Sequence, residues 1–233
     1  MSYPGHVTAV QGNELVMASG KRIVIDDGRD KTHAQKLDDA DIEDMLSQIY
    51  PIGSCSVDLP PAQNFEPGRI RNEAFFTAVY GRNADVVKKS LSPVPWFGQT
   101  LQVTRTLDVD RKLAAVAADL ITAPSDVRKM LAPSAGVFNW RVIAGTRRLS
   151  VHSFGAAIDV NTAYGDFWAW HGGKPGAPGR YRNRIPRQIV EAFERQGFIW
   201  GGQWYHYDTL HFEYRPELIA IGRLAEERGC PRQ

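Results

Sequence analysis

Polar and apolar residues alternate between positions 7 and 25 around two turn signals, Gly12-Asn13 and Ser19-Gly20. Alternation sends successive side chains to opposite faces, so Val7–Val10, Leu15–Ala18 and Arg22–Ile25 are predicted as short antiparallel strands. The period then lengthens. Ile42, Met45, Leu46 and Ile49 recur at helical spacing, and Asp38 or Asp39 is placed to cap a helix running to about Tyr50. A proline-rich arm over 51–68 leads to predicted helices at about Glu73–Tyr80 and Asp85–Leu91, after which Pro93-Val94-Pro95 punctuates the chain. The expected organisation is an N-terminal extension of short strands and helices over 1–92 and a main domain over 93–233.

In the second part, Leu101–Thr106 reads as a strand, and Asp108 as the cap of a helix whose Leu113, Val116, Ala117, Leu120 and Ile121 form one apolar stripe. Residues 137–143 and 156–160 are rich enough in β-branched and aromatic side chains to be strands. A loop carrying Gly172, Gly173, Gly176 and Gly179 follows, without the pattern of a phosphate-binding loop. Pro186 starts a helix that buries Ile189, Val190 and Phe193 and stops at Gly197. Phe198–Trp200 and His211–Tyr214 read as strands on either side of a Gly201-Gly202 turn, and a final helix spans about Pro216–Arg228. Strands and helices mix without strict βαβ alternation. The predicted class is therefore α+β, a mainly antiparallel sheet flanked by helices.

Composition narrows the possible partners. The 28 basic and 26 acidic residues leave a net charge of +2. That balance gives no electrostatic footprint for nucleic acid. Arg147-Arg148 and the group Arg180, Arg182, Arg184 and Arg187 are local basic exceptions, read as solvated faces. No uncharged apolar run reaches the roughly 18 residues of a membrane span, and Met1–His6 has neither the basic segment nor the apolar core of a signal peptide. Cys55 and Cys230 lack C-x-x-C spacing, which excludes a four-cysteine zinc site and a thioredoxin-type motif. A disulfide between them and two buried free thiols fit equally well.

The chemistry concentrates in Ser150-Val151-His152-Ser153-Phe154-Gly155-Ala156-Ala157-Ile158-Asp159 and in Asp208-Thr209-Leu210-His211. His152 and Asp159 are seven residues apart, a separation that would put them on opposite faces of a straight strand. Gly155 allows a bend between them. Asp159 lies between Ile158 and Val160, and a carboxylate in such a setting requires an arginine, a backbone donor or a metal as partner. His152, Asp159 and His211 would leave a Zn²⁺ site with formal charge of about +1, enough to acidify a water and polarise a carbonyl. Mg²⁺ or Ca²⁺ would ask for more oxygen donors. Asp208, three residues before His211, is placed to act as a general base, with Glu213 on the face of His211 as the fallback. Ser150, His206 and Trp204 are candidate substrate contacts, each with an ordinary structural alternative.

The pattern Ser150-x-His152-x-x-Gly155-x-Ala157-x-Asp159, with Trp200-Gly201-Gly202-x-Trp204 and Asp208-x-x-His211-Phe212, resembles the D-alanyl-D-alanine carboxypeptidase family of zinc peptidases. That family takes in vancomycin-resistance dipeptidases and phage L-alanyl-D-glutamate endolysins, and it shares its zinc fold with hedgehog signalling domains. The resemblance covers about residues 136–220. It implies one Zn²⁺ on His152, Asp159 and His211, Asp208 as acid/base where many members carry Glu, and Arg141 as the cation steadying the carbonyl oxygen, with Arg147 and Arg148 as substitutes. It further implies a peptidoglycan stem peptide as substrate and a cell-envelope, periplasmic or secreted location. A D-alanyl-D-alanine carboxypeptidase is the leading expectation. The alternatives are an L-alanyl-D-glutamate-type endopeptidase and a binding module that keeps the zinc fold without catalysis.

Overall fold

The computed structural model describes residues 2–55 and 60–230. The alternating N-terminal run forms β1 (Val7–Gln11), β2 (Glu14–Met17) and β3 (Arg22–Val24), an antiparallel sheet in the order β1-β2-β3. The single helix expected up to Tyr50 is two shorter ones, α1 (His33–Asp38) and α2 (Ile42–Leu46). The reason lies in the capping. Thr32 and Gln35 form a capping box that starts a helix early, so Asp38 closes α1, and Asp41 instead caps α2 by accepting from the Asp44 amide. Lys31 bonds to Asp41 and Asp44 and pins the second start in place.

Asn72 caps α3 (Glu73–Tyr80), which has the expected bounds, and Asn83 caps α4 (Ala84–Ser90), which begins and ends one residue earlier than expected. Pro93-Val94-Pro95 does not interrupt the chain. It lies inside β4 (Leu91–Trp96), which pairs with β5 (Gln99–Thr104) in a two-stranded antiparallel hairpin. A strand with a partner on one side only has edge positions where a missing N–H costs nothing. Asp108 precedes α5 (Val109–Leu120) but sits in the left-handed region and makes no capping bond; Arg111 takes its carboxylate at 3.2 Å instead. The short α6 (Ser125–Arg128) follows. The strand expected over 137–143 is absent, leaving only the isolated bridge Val142↔Leu149 there and Gly136↔Asp159 just before it. β-Branched composition favours a strand only where a neighbour offers a full ladder.

The remaining elements are β6 (Ala157–Asp159), α7 (Arg187–Arg195), β7 (Phe198–Trp200), β8 (His211–Tyr214) and α8 (Pro216–Glu227). β8 is the central strand of a three-stranded antiparallel sheet ordered β6-β8-β7. Mixed helices and antiparallel sheets make the molecule α+β, as expected.

One apolar core joins Tyr3, Phe76, Trp96, Val116, Phe154, Phe193 and Phe212, so residues before and after Pro93 are packed together. Phe193 of α7 stacks on Phe212 of β8 with ring centroids 3.9 Å apart. Phe76 and Tyr80 of α3 meet Phe154 at 5.7 and 5.6 Å. A smaller cluster of Tyr50, Ile52, Ile199, Trp204, Leu218 and Ile219 fastens α8 to the proline-rich arm. Cys55 and Cys230, for which both states were open, form a disulfide across a sequence separation of 175 residues. Among the described residues no helix is long and apolar enough to cross a membrane.

Beside that smaller cluster, Glu194 of α7 is buried and accepts a hydrogen bond from the Tyr50 hydroxyl at 2.7 Å. Burial pushes its pKa up to about 7 against the opposing pull of the Tyr50 hydroxyl and Arg187. The folded state therefore binds a proton that the unfolded chain has already released, and stability should fall as pH rises between about 4.5 and 7. The effect is at most on the order of 3 kcal/mol. Glu194→Gln keeps the acceptor oxygen and removes the titration. Denaturant melts of the two proteins at pH 5 and pH 7.5 should differ at the higher pH only.

Candidate metal centre

Three segments meet at one face of the β6-β8-β7 sheet. In the β6–β8 ladder Asp159 pairs with His211, Ile158 with Phe212 and Ala157 with Glu213. Directly paired residues share a face, so Asp159, His211 and Glu213 stand on one side. Ile158 and Phe212 stand on the other and are fully buried. The alternation of His-Phe-Glu-Tyr in β8 thus separates chemistry from core.

His152 arrives from a 3-10 turn, Val151–Phe154, whose start is fixed by the Ser150 hydroxyl accepting from the His152 amide at 3.4 Å. The bend expected at Gly155 is present. Gly155 adopts φ +65°, and its carbonyl accepts from the Thr104 amide at 3.0 Å. A Cβ there would lie 2.7 Å from a Leu91 methyl, so both conformation and space require glycine.

The ligand atoms converge tightly. Asp159 Oδ1 lies 2.9 Å from His211 Nδ1 and 3.2 Å from His152 Nε2, and the two nitrogens are 3.2 Å apart. Donors around a tetrahedral zinc ion at the usual bond lengths sit about 3.3 Å apart, close to this spacing. The tautomers point the same way. His152 Nδ1 must donate to the Val137 carbonyl at 2.7 Å, and His211 Nε2 donates to Glu213 Oε2 at 3.1 Å. In the neutral imidazoles both remaining nitrogens then aim lone pairs at each other and at a carboxylate oxygen, an arrangement that calls for a cation between them. The charges agree. Burial disfavours a charge on His211, but the carboxylates of Asp159 and Glu213 outweigh it and push its pKa up to about 10. Burial likewise opposes ionisation of Asp159, yet the two imidazoles hold its carboxyl far below the usual range. His152, Asp159 and His211 can therefore hold a metal ion.

A cavity of about 440 Å³ opens over this group, and Asp208, Trp204, Trp168 and Arg141 also line it. The Asp208 amide donates to the Gly201 carbonyl at 2.9 Å, while its carbonyl accepts from the His211 amide at 3.2 Å, a turn that ties the aspartate to the start of β8. Its Oδ1 is shielded from solvent and has no hydrogen-bond partner. Burial and the Asp159 charge push the Asp208 pKa up to about 6. Glu213 is differently disposed. Its two oxygens go to His211 and, at 3.1 Å, to Arg215. Burial opposes this, but His211, Arg71 and Arg215 bring its pKa down to about 2.

Residues 144–214 match the family model described as D-alanyl-D-alanine carboxypeptidase. No curated protein and no solved structure matches the chain significantly. The family is one of zinc peptidases, and the matched segment holds His152, Asp159, Asp208 and His211. Arg141 lies just outside it.

The other sequence candidates divide. Arg141 is exposed, its backbone braced by Ser153 and Ser150 at 2.9–3.0 Å, and it lines the cavity. Trp204 is buried, its ring 5.4 Å from that of His211. Ser150 lines the cavity and also caps the His152 turn. His206 stands apart: its ring nitrogens meet Glu66 and the Gly176 amide, and it is not among the cavity's lining residues. Arg147 and Arg148 line a neighbouring cavity of about 320 Å³ instead.

Two residues at the site have no counterpart among the sequence expectations. Arg69 and Arg71 line the same cavity from the segment read as an extension. The available signal was Ile70 set between two arginines just after the proline-rich arm, an apolar residue that the structure buries.

Proposed function

We propose that this protein is a zinc-dependent peptidase that hydrolyses peptide bonds in peptidoglycan stem peptides, acting as a D-alanyl-D-alanine carboxypeptidase. The observation that carries the reading is the convergence of His152 Nε2, His211 Nδ1 and Asp159 Oδ1, with both imidazole tautomers fixed from behind by Val137 and Glu213. Zinc on these three donors would supply Lewis acidity, polarising the scissile carbonyl and acidifying a water. The family segment supports the peptidase class.

The protein's own groups do the rest. Asp208, half-buried and without a partner on Oδ1, takes the proton of the attacking water and passes it to the leaving amine. Arg141 at the cavity rim offers a cation to the developing oxyanion, where one good donor is worth about 3 kcal/mol of barrier. Trp204 and Trp168 wall the cavity and limit water. A binding module without catalysis has no use for an unpaired, shielded carboxylate beside a ligand set, so Asp208 argues for turnover. The Cys55–Cys230 disulfide suits an oxidising, extracytoplasmic compartment, where this substrate is found.

The test is mass spectrometry of defined stem peptides incubated with zinc-loaded protein, with chelated protein and with chelated protein given zinc again. Release of the terminal D-alanine in the first and third samples only is the expected result. Cleavage between L-alanine and D-glutamate would make the enzyme an endopeptidase. No cleavage of any peptide by the zinc-loaded protein would sink the reading.

A further inference from the structure

Three arginines, Arg69, Arg71 and Arg141, and three carboxylates, Asp159, Asp208 and Glu213, line the cavity, and all three arginines come from outside the matched segment 144–214. Arg71 is nearly buried, its side chain 10% exposed, and its guanidinium reaches Glu213 only at 4.0 Å. Its hydrogen bonds go to backbone carbonyls, Leu149 at 2.9 Å and Gly68 at 3.4 Å. Those bonds orient the group without cancelling its charge. Arg69 stacks on Trp204 at 5.1 Å and meets Glu66 at 3.4 Å.

The nearby carboxylates are oversubscribed. Glu213 already serves His211 and Arg215, and Glu66 already serves His33 and His206. Burial pushes the pKa of Arg71 down to about 10, and Arg215, Arg148 and Arg69 add like-charge repulsion to the partial relief from Glu213. A guanidinium kept nearly dry beside other cations is costly unless an anion joins it.

The segment is built to bring these arginines in. Gly68 has φ +104°, and a Cβ there would sit 3.1 Å from Glu213 Oε1 and 3.3 Å from an Arg215 nitrogen. Arg215 in turn donates to the Gly68 carbonyl at 2.7 Å. A larger residue would push the arm away from the sheet and take Arg69 and Arg71 with it. A purely structural arginine would be matched to a carboxylate, as Arg215 is to Glu217.

We infer that Arg71, with Arg69 beside it, forms a subsite for a carboxylate of the substrate next to the His152–Asp159–His211 group. The inference rests on the peptidase reading above and deepens it, since a fixed carboxylate subsite selects peptides that carry that group near the scissile bond. A guanidinium fork suits a carboxylate because two N–H groups match its two oxygens. Two chemical sources fit, the free C-terminal carboxylate of a peptide and the internal α-carboxylate of an isoglutamyl residue.

The experiment compares an acylated D-alanyl-D-alanine with its C-terminal amide, and an isoglutamyl peptide with its α-amide, on zinc-loaded protein. The wild type should prefer one acid over its amide by about 10- to 100-fold in kcat/KM, the scale of a charge-assisted hydrogen bond. Whichever pair shows the preference identifies the source. Arg71→Gln and Arg69→Gln should reduce it to a few-fold, chiefly through KM, and Arg71→Lys should retain part of it because the charge stays while the fork is lost. Should Arg71→Gln fail to fold, Arg69→Gln and Arg71→Lys carry the comparison. Equal use of acid and amide by the wild type, or a preference unchanged in folded variants, overturns the subsite. Calorimetric binding of the same pairs separates the two readings. If the wild type cleaves nothing, the peptidase reading fails, while an acid-over-amide binding preference that the variants lose still upholds the subsite, and equal binding refutes it.

Discussion

Asp208→Ala is expected to lower turnover by about 10²- to 10⁴-fold, the usual worth of a positioned general base, while the protein still folds and binds zinc with unchanged stoichiometry. The basis is local. Asp208 lines the cavity, its Oδ1 lacks a partner, and no metal-ligating group depends on its side chain. Asp208→Glu should restore part of the activity, because it keeps the carboxylate and changes only its reach. The pH profile gives a second reading of the same residue. A base works when deprotonated, so the rate should rise with pH through the pKa of Asp208. Burial and Asp159 place that pKa near about 6. A bound divalent cation favours the ionised form and moves the limb lower. An acid limb of kcat/KM below pH 6 that survives in Asp208→Glu and vanishes from the residual rate of Asp208→Ala is the expected pattern. Wild-type activity in the alanine variant would remove Asp208 from the mechanism.

His211→Ala should abolish both zinc retention and hydrolysis. It deletes one of three donors and leaves the Asp159 carboxylate facing a single imidazole. Glu213→Gln makes a graded companion. Glu213 touches the metal group only through the His211 Nε2–H bond at 3.1 Å, so its loss should weaken zinc by about 10- to 100-fold rather than remove it. Equilibrium dialysis followed by metal analysis checks both, independently of any substrate. A histidine variant that kept full zinc occupancy would mean the ion binds elsewhere.

Much of this centre was legible along the chain because the relevant distances are short in sequence. His152 and Asp159 are joined by one bend, and the alternation of β8 places His211 and Glu213 on the same face. The helices α3, α5 and α7 follow from apolar spacing, which needs no knowledge of what they pack against. What escaped was whatever depends on a partner far away. The 137–143 run has strand composition but finds no ladder. Pro93 and Pro95 look like breaks, yet sit comfortably in a strand paired on one side. Arg69 and Arg71 reach the cavity only because Gly68 lets the arm lie against Glu213 and Arg215, residues about 145 positions later. No local pattern encodes that meeting.

The pairing of Asp159 with His211 and of Ile158 with Phe212 has one more consequence. Because a strand has a period of two, sliding β8 by a single residue would drive His211 and Glu213 into the core and turn Phe212 toward the cavity. A misregistered molecule would keep only His152 and Asp159 of the three donors. Metal uptake in this design would therefore act as a proofreading step on strand alignment, rewarding only molecules whose central strand has threaded correctly. The same coupling constrains any insertion or deletion between Gly155 and Tyr214: an odd change that shifts the ladder costs the ion and the core together.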